Sequence, residues 1–102
     1  MKEYEYIPIT ANQAFQNANH YNDNIIKSIT KDIVERIRAA SDNGKYAISI
    51  RCDGDLYSNM NDDNICDKII SYFQKYGFCV TKTYDYKTMV LKIEWYNNKD
   101  NN

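Results

Sequence analysis

The chain has 102 residues, with 13 Lys plus Arg against 14 Asp plus Glu and a formal charge of -1. That length suits one domain, and a hydrophobic content of 43% supplies a core without disulfides or metals. The balanced charge argues against a protein that lives on duplex nucleic acid, because each neutralised phosphate needs a cation not already offset by a carboxylate.

The chain order predicts helix, strand, helix, strand, strand. Residues 1–9 form an N-terminal arm. Thr10-Ala11-Asn12-Gln13 has the spacing of a capping box, so a helix starts at Ala11. Apolar or semi-apolar residues then recur about every 3.6 positions as far as Ala40, and Asp42-Asn43-Gly44 supplies the residues that end a helix. The segment His20 to Asn24 is poor in helix formers, so a break or bend near Asn22 is the alternative to one continuous rod.

Tyr46 to Cys52 alternates as a half-buried strand, with Tyr46, Ile48, Ile50 and Cys52 on one face and Ala47, Ser49 and Arg51 on the other. Asp53 to Asn61 is polar and turn-rich, and Asn61 is placed to cap a second helix carrying Ile65, Ile69 and Phe73 and stopped by Gly77. Phe78 to Thr83 and Thr88 to Trp95 follow as strands joined around Tyr84-Asp85-Tyr86-Lys87. The last strand is the most apolar and belongs at the centre, antiparallel to both others, with the second helix crossing right-handedly over one face. Residues 96–102 form a loose tail. The fold class is α+β: one domain over 1–102, with a three-stranded, mostly antiparallel sheet and helices packed on one face. The face with Ala47, Ser49, Arg51 and Lys92 should be wet.

An unbroken first helix is about twice as long as the strands beneath it, so its first half overhangs the domain. The overhang offers Ala11, Ala14, Phe15, Ala18 and Tyr21, whose spacing lets another helix approach closely. A lone helical end is marginal in water, and the same segment of a second copy in a two-fold pair is the economical cover.

Sites of chemistry are sparse. Asp53-Gly54-Asp55 begins like a calcium loop, but Tyr57, Ser58 and Asn64 stand where that loop needs an oxygen ligand, a glycine and a bidentate Glu. Asp53, Asp55, Asp62 and Asp63 are the only dense acidic set, the minimum for a hydrolase or nuclease reading. His20 is the sole histidine and has no nucleophile at a recognisable spacing. Cys52 and Cys66 lie on or beside apolar stripes and read as buried hydrophobes; Cys79 is open to either role. No cysteine pair has CxxC spacing, no apolar run approaches the length of a membrane span, and the start is acidic and aromatic rather than signal-like. A soluble chain in a reducing compartment follows, with no cofactor, no metal and no membrane partner. Ten tyrosines suit recognition, and Arg51, Tyr57, Lys82 and Tyr86 are the candidates to hold a nucleotide by phosphate contact and stacking.

Thr10-Ala11, Ala39-Ala40 with Gly44, Ile48 to Ile50, Gly77-Phe78 and Ile93-Glu94-Trp95 together form a layout that resembles small proteins of tailed bacteriophages. The resemblance covers residues 10–95 and transfers no catalytic residue. It implies a viral origin and a non-enzymatic accessory protein in the host cytoplasm, one that binds a host protein or sequesters a nucleotide in a counter-defence role. The alternative is a minor capsid or tail protein ordered by neighbouring subunits in the virion.

Overall fold

The computed structural model describes residues 9–96. The predicted arm, apart from Ile9, and the predicted tail, apart from Tyr96, lie outside the described residues. Helix α1 spans Ala11–Asp42 without interruption. Its start is the predicted capping box: the Gln13 amide donates to Thr10 Oγ1 at 3.1 Å, and the Thr10 amide donates to Gln13 Oε1 at 3.0 Å. No Gly or Pro falls between 11 and 42, so nothing removes a hydrogen bond from the ladder, and the alternative of a break near Asn22 is not adopted. The exit uses Gly44 at φ +82, with Lys45 N donating to Ala40 O and Gly44 N to Ser41 O, both at 3.0 Å.

Strand β1 covers Ala47–Arg51, β2 Cys79–Asp85 and β3 Thr88–Glu94. The order is β1-β3-β2 and both pairings are antiparallel, so the last strand is central as its apolar content predicts. β1 is shorter than the sequence suggests, although Tyr46 O and Cys52 N still bond to Trp95 N and Met89 O beyond its ends. β2 runs two residues past Thr83, because only Tyr86 and Lys87 form the hairpin loop. Tyr86 takes φ +59 there, a left-handed position that a bulky L-residue seldom adopts.

The stretch after β1 departs from the expected loop. Helix α2, Gly54–Tyr57, leads into a 3-10 turn at Ser58–Asn61, and the two bury Tyr57 and Met60. Four-residue turns are too short to show a helical period, which is why the pattern does not reveal them. Asp62, not Asn61, caps the following helix α3, Asp63–Lys75: its carboxylate accepts from the amides of Asn64 and Ile65. Asn61 instead donates to the carbonyls of Cys52 and Ser58, tying the turn to the end of β1.

Ile29 and Ile33 of α1, Ile65, Cys66, Ile69 and Phe73 of α3, and Ile50, Met89, Leu91 and Ile93 of the sheet make the centre of the core. Both helices cover one sheet face. On the other, Ser49, Arg51 and Lys92 are exposed as expected, while Ala47 is half-buried. α3 closes with Gly77 at φ +93, Phe78 N donating to Phe73 O, and the Phe73 and Phe78 rings edge to face at 5.8 Å.

Candidate functional site

The four residues marked for a nucleotide are not gathered in one place. Arg51 lies on the open sheet face, where Nη1 meets Asp85 at 3.0 Å and Nε meets Asp53 at 3.3 Å. Those carboxylates, Asp85 foremost, raise the guanidinium above its usual value. Lys82 sits opposite Leu91 in the register, so strand alternation sends it to the helix-covered side. Tyr86 is almost wholly exposed at the hairpin tip.

Tyr57 is buried, contrary to its expected place in an open loop. Its hydroxyl donates to Asp32 Oδ2, and the Arg36 guanidinium, 2.9 Å from the same carboxylate, lies 5.1 Å from the centre of the Tyr57 ring. This cluster ties α2 to the middle of α1. Burial, followed by the bond to Asp32, pushes the Tyr57 phenol above its usual value. The Tyr57 bond draws Asp32 below its own, with Arg36 helping and desolvation opposing. A lowered carboxylate contributes stability above about pH 4 that is lost as pH falls through the folded value; a raised phenol contributes stability below about pH 10 that is lost as pH rises through its folded value. Tyr57→Phe is expected to cost about 1–2 kcal/mol at pH 7 and to reduce the alkaline loss, of which the buried Cys52 and Cys66 thiols keep a share, as read from urea midpoints across pH. An alkaline limb unchanged in the variant would assign that loss to another group.

The other candidates are used structurally or stand apart. Asp62 is a cap and Asp53 an ion-pair partner, and among the described residues no three His, Cys, Asp or Glu are placed to hold a metal ion. His20 is exposed on α1. Cys52 and Cys66 are buried and Cys79 is exposed. Burial raises the Cys52 thiol to about 11 and that of Cys66 in the same direction. In the native state a maleimide reagent is therefore expected to label Cys79 alone by mass spectrometry, with Cys52 and Cys66 reacting only after denaturant is added. Prompt labelling of all three would contradict their burial.

Two surfaces remain unpartnered. Every residue from Ile9 to Tyr21 is exposed, including Phe15 at 65% and Tyr21 at 64%, and burial on α1 begins only at Asn22. Between Ala11 and Asn22 the helix bears no carboxylate, Lys or Arg. The expected overhang is thus present, about 20 Å of rod beyond the domain.

The second surface is a cleft of 580 Å³ between the outer sides of α1 and α3, floored by Ile26, Val34 and Tyr72. Lys27, Lys31, Arg38 and Lys68 rim it against the lone carboxylate of Glu35, and none of these cations makes an ion pair among the described residues. A smaller cavity of 230 Å³ continues it past Ile37 toward Tyr76 and Phe78. The sequence reading missed this cleft, although a second stripe at Ile26, Thr30, Val34 and Ile37 beside the Ile29-Ile33 stripe carried the signal. Among the described residues no helix is long and apolar enough to cross a membrane. No family model, curated protein or solved structure matches the chain.

Proposed function

We propose that this is a non-enzymatic accessory protein of phage type that works through protein contact and assembles as a two-fold pair through the projecting half of α1. One observation carries the reading: an exposed, charge-free helical segment with Phe15 and Tyr21 at its surface. A rod of this length gains little from its own hydrogen bonds in water, and its apolar side chains stabilise it only when covered. The titratable groups support the non-enzymatic part, since Asp32, Tyr57, Arg36, Arg51, Asp53, Asp62 and Asp85 are all engaged in caps, ion pairs or helix-to-helix ties.

A thermal-shift screen against nucleotides tests protein contact against nucleotide sequestration. No member is expected to raise the melting temperature, whereas a nucleotide at a hundred times its dissociation constant would stabilise by about 2.7 kcal/mol and overturn the reading. Recovery of the chain in purified particles, rather than in the soluble fraction of infected cells, would place it in the virion instead.

A further inference from the structure

We infer that the basic cleft between α1 and α3 docks an acidic amphipathic helix, about three turns long, of a partner protein. This rests on the reading of the chain as one that works through protein contact, and it names the chemistry of what is contacted.

The shape of the cleft suits a helix. Ile26, Thr30, Val34 and Ile37 recur at helical spacing and are half-buried, so the stripe has one side on the core and the other open. Tyr72 of α3 forms the facing wall, with 41% of its surface still exposed. From Ile26 to Arg38 the cleft runs about 18 Å along α1, the length of about 12 helical residues. The outer groove between two packed helices accepts the ridge of a third, whose apolar residues fall at i, i+4 and i+7.

The charges select an acidic occupant. At 100° per residue, Lys27, Arg38 and Lys31 lie about 20° to 60° beyond Val34 on the outer side of the stripe, while Glu35 lies about 100° beyond it, turned farthest from the floor. On α3, Lys68 lies about 40° from Tyr72, whereas Asp63 and Asp67 lie about 140° or more from it. Both rims are therefore cationic, and Asp23 and Asp42 stand beyond the two ends of the lining. Outside the cleft the chain has nine Lys and Arg against thirteen Asp and Glu, so the positive charge is local to this groove. An amphipathic helix with carboxylates on both flanks of its apolar stripe answers floor and rims together.

Other occupants match less of it. The floor is aliphatic apart from Tyr72, so a nucleic-acid strand finds one ring to stack on. A lipid surface meets the rims but not a floor recessed in a cleft of 580 Å³. A second copy's projecting helix bears no carboxylate between Ala11 and Asn22 and leaves the four cations unanswered.

Fluorescence anisotropy with a labelled, end-capped, Ala-based peptide of about 14 residues, carrying Leu at i, i+4, i+7 and i+11 and Glu on both flanks, tests the inference. The full chain is expected to bind it with a dissociation constant below about 100 μM, and to bind the same peptide with Lys in place of Glu at least about tenfold more weakly. Lys31→Glu with Lys68→Glu is expected to weaken the Glu peptide by about tenfold or more and to abolish the preference for Glu over Lys. Both lysines are exposed, and Lys31→Ala with Lys68→Ala gives a milder version whose melting curve verifies the fold. No saturation by about 1 mM, equal binding of the two peptides, or indifference to the lysine changes overturns the inference. Three results assign the cleft to another occupant and overturn it as well. They are tighter peptide binding by Glu3→Lys with Glu5→Lys, for the chain's own N-terminal segment; loss of a wild-type dimer in Lys31→Glu with Lys68→Glu, for a second copy; and lysine-dependent binding to phosphatidylglycerol vesicles without peptide binding, for a membrane. Failure of the peptide with a chain that is dimeric and unmoved by nucleotides overturns the docking alone, whereas a nucleotide-induced rise in melting temperature overturns the protein-contact reading itself.

Discussion

Phe73→Ala is expected to lower unfolding stability by about 3–5 kcal/mol, the range for removing a fully buried aromatic ring. A domain of this length holds about 5–15 kcal/mol in total, so the change removes a large part of it. Phe73 is 1% exposed, its carbonyl accepts the Phe78 amide that closes α3, and its ring meets Tyr72 edge-on at 5.1 Å and Phe78 at 5.8 Å. The vacated space lies between α3 and the start of β2, and backbone pinned at Gly77 has little freedom to collapse into it. The urea midpoint should fall steeply at unchanged m-value. A loss below about 1 kcal/mol would mean that α3 does not pack on the sheet through this residue.

Phe15→Asp is expected to behave in the opposite way. Phe15 touches none of the core, so the melting temperature of the isolated chain should shift by no more than about 0.5 kcal/mol would produce. In the proposed two-fold pair the same change places a carboxylate in the apolar contact of the projecting helix twice per dimer. Each loss resembles an interface anchor worth about 2 kcal/mol, so the dimer dissociation constant should rise by about a thousandfold. Equal dimer affinity in wild type and variant, measured by sedimentation, would remove Phe15 from the contact.

Much of the architecture is written locally in the chain. Thr10 and Gln13 announce the start of α1, Gly44 and Gly77 mark the helix ends, and the alternation of Met89, Leu91 and Ile93 identifies the central strand. These signals operate over a few residues, through capping bonds and side-chain period, and need no knowledge of distant partners. Continuity of α1 through Asn22 is harder to read because propensity there opposes it. The capped start and the Ile29 and Ile33 anchors prevail over a weak local preference.

Tertiary effects account for what the sequence hid. Tyr57 looks like a loop tyrosine until Asp32, 25 residues earlier, is brought to its hydroxyl. The cap of α3 falls to Asp62 because Asn61 is drawn away to the carbonyl of Cys52. Arg51 and Lys82 are close in a plausible reading of charge and aromatics, yet strand alternation sends them to opposite sides of the sheet. The cleft needs two helices to exist at all: α1 supplies Ile26 and Val34, and α3 supplies Tyr72 and Lys68. A one-dimensional pattern marks each half without showing that they meet.

Light scattering of the purified wild-type chain measures most directly whether the projecting half of α1 is covered by a second copy. The expected result at micromolar concentration is a mass close to twice the 12.0 kDa of one chain. A mass of 12.0 kDa that persists up to about 1 mM would contradict it, because an interface that weak is worth no more than about 4 kcal/mol.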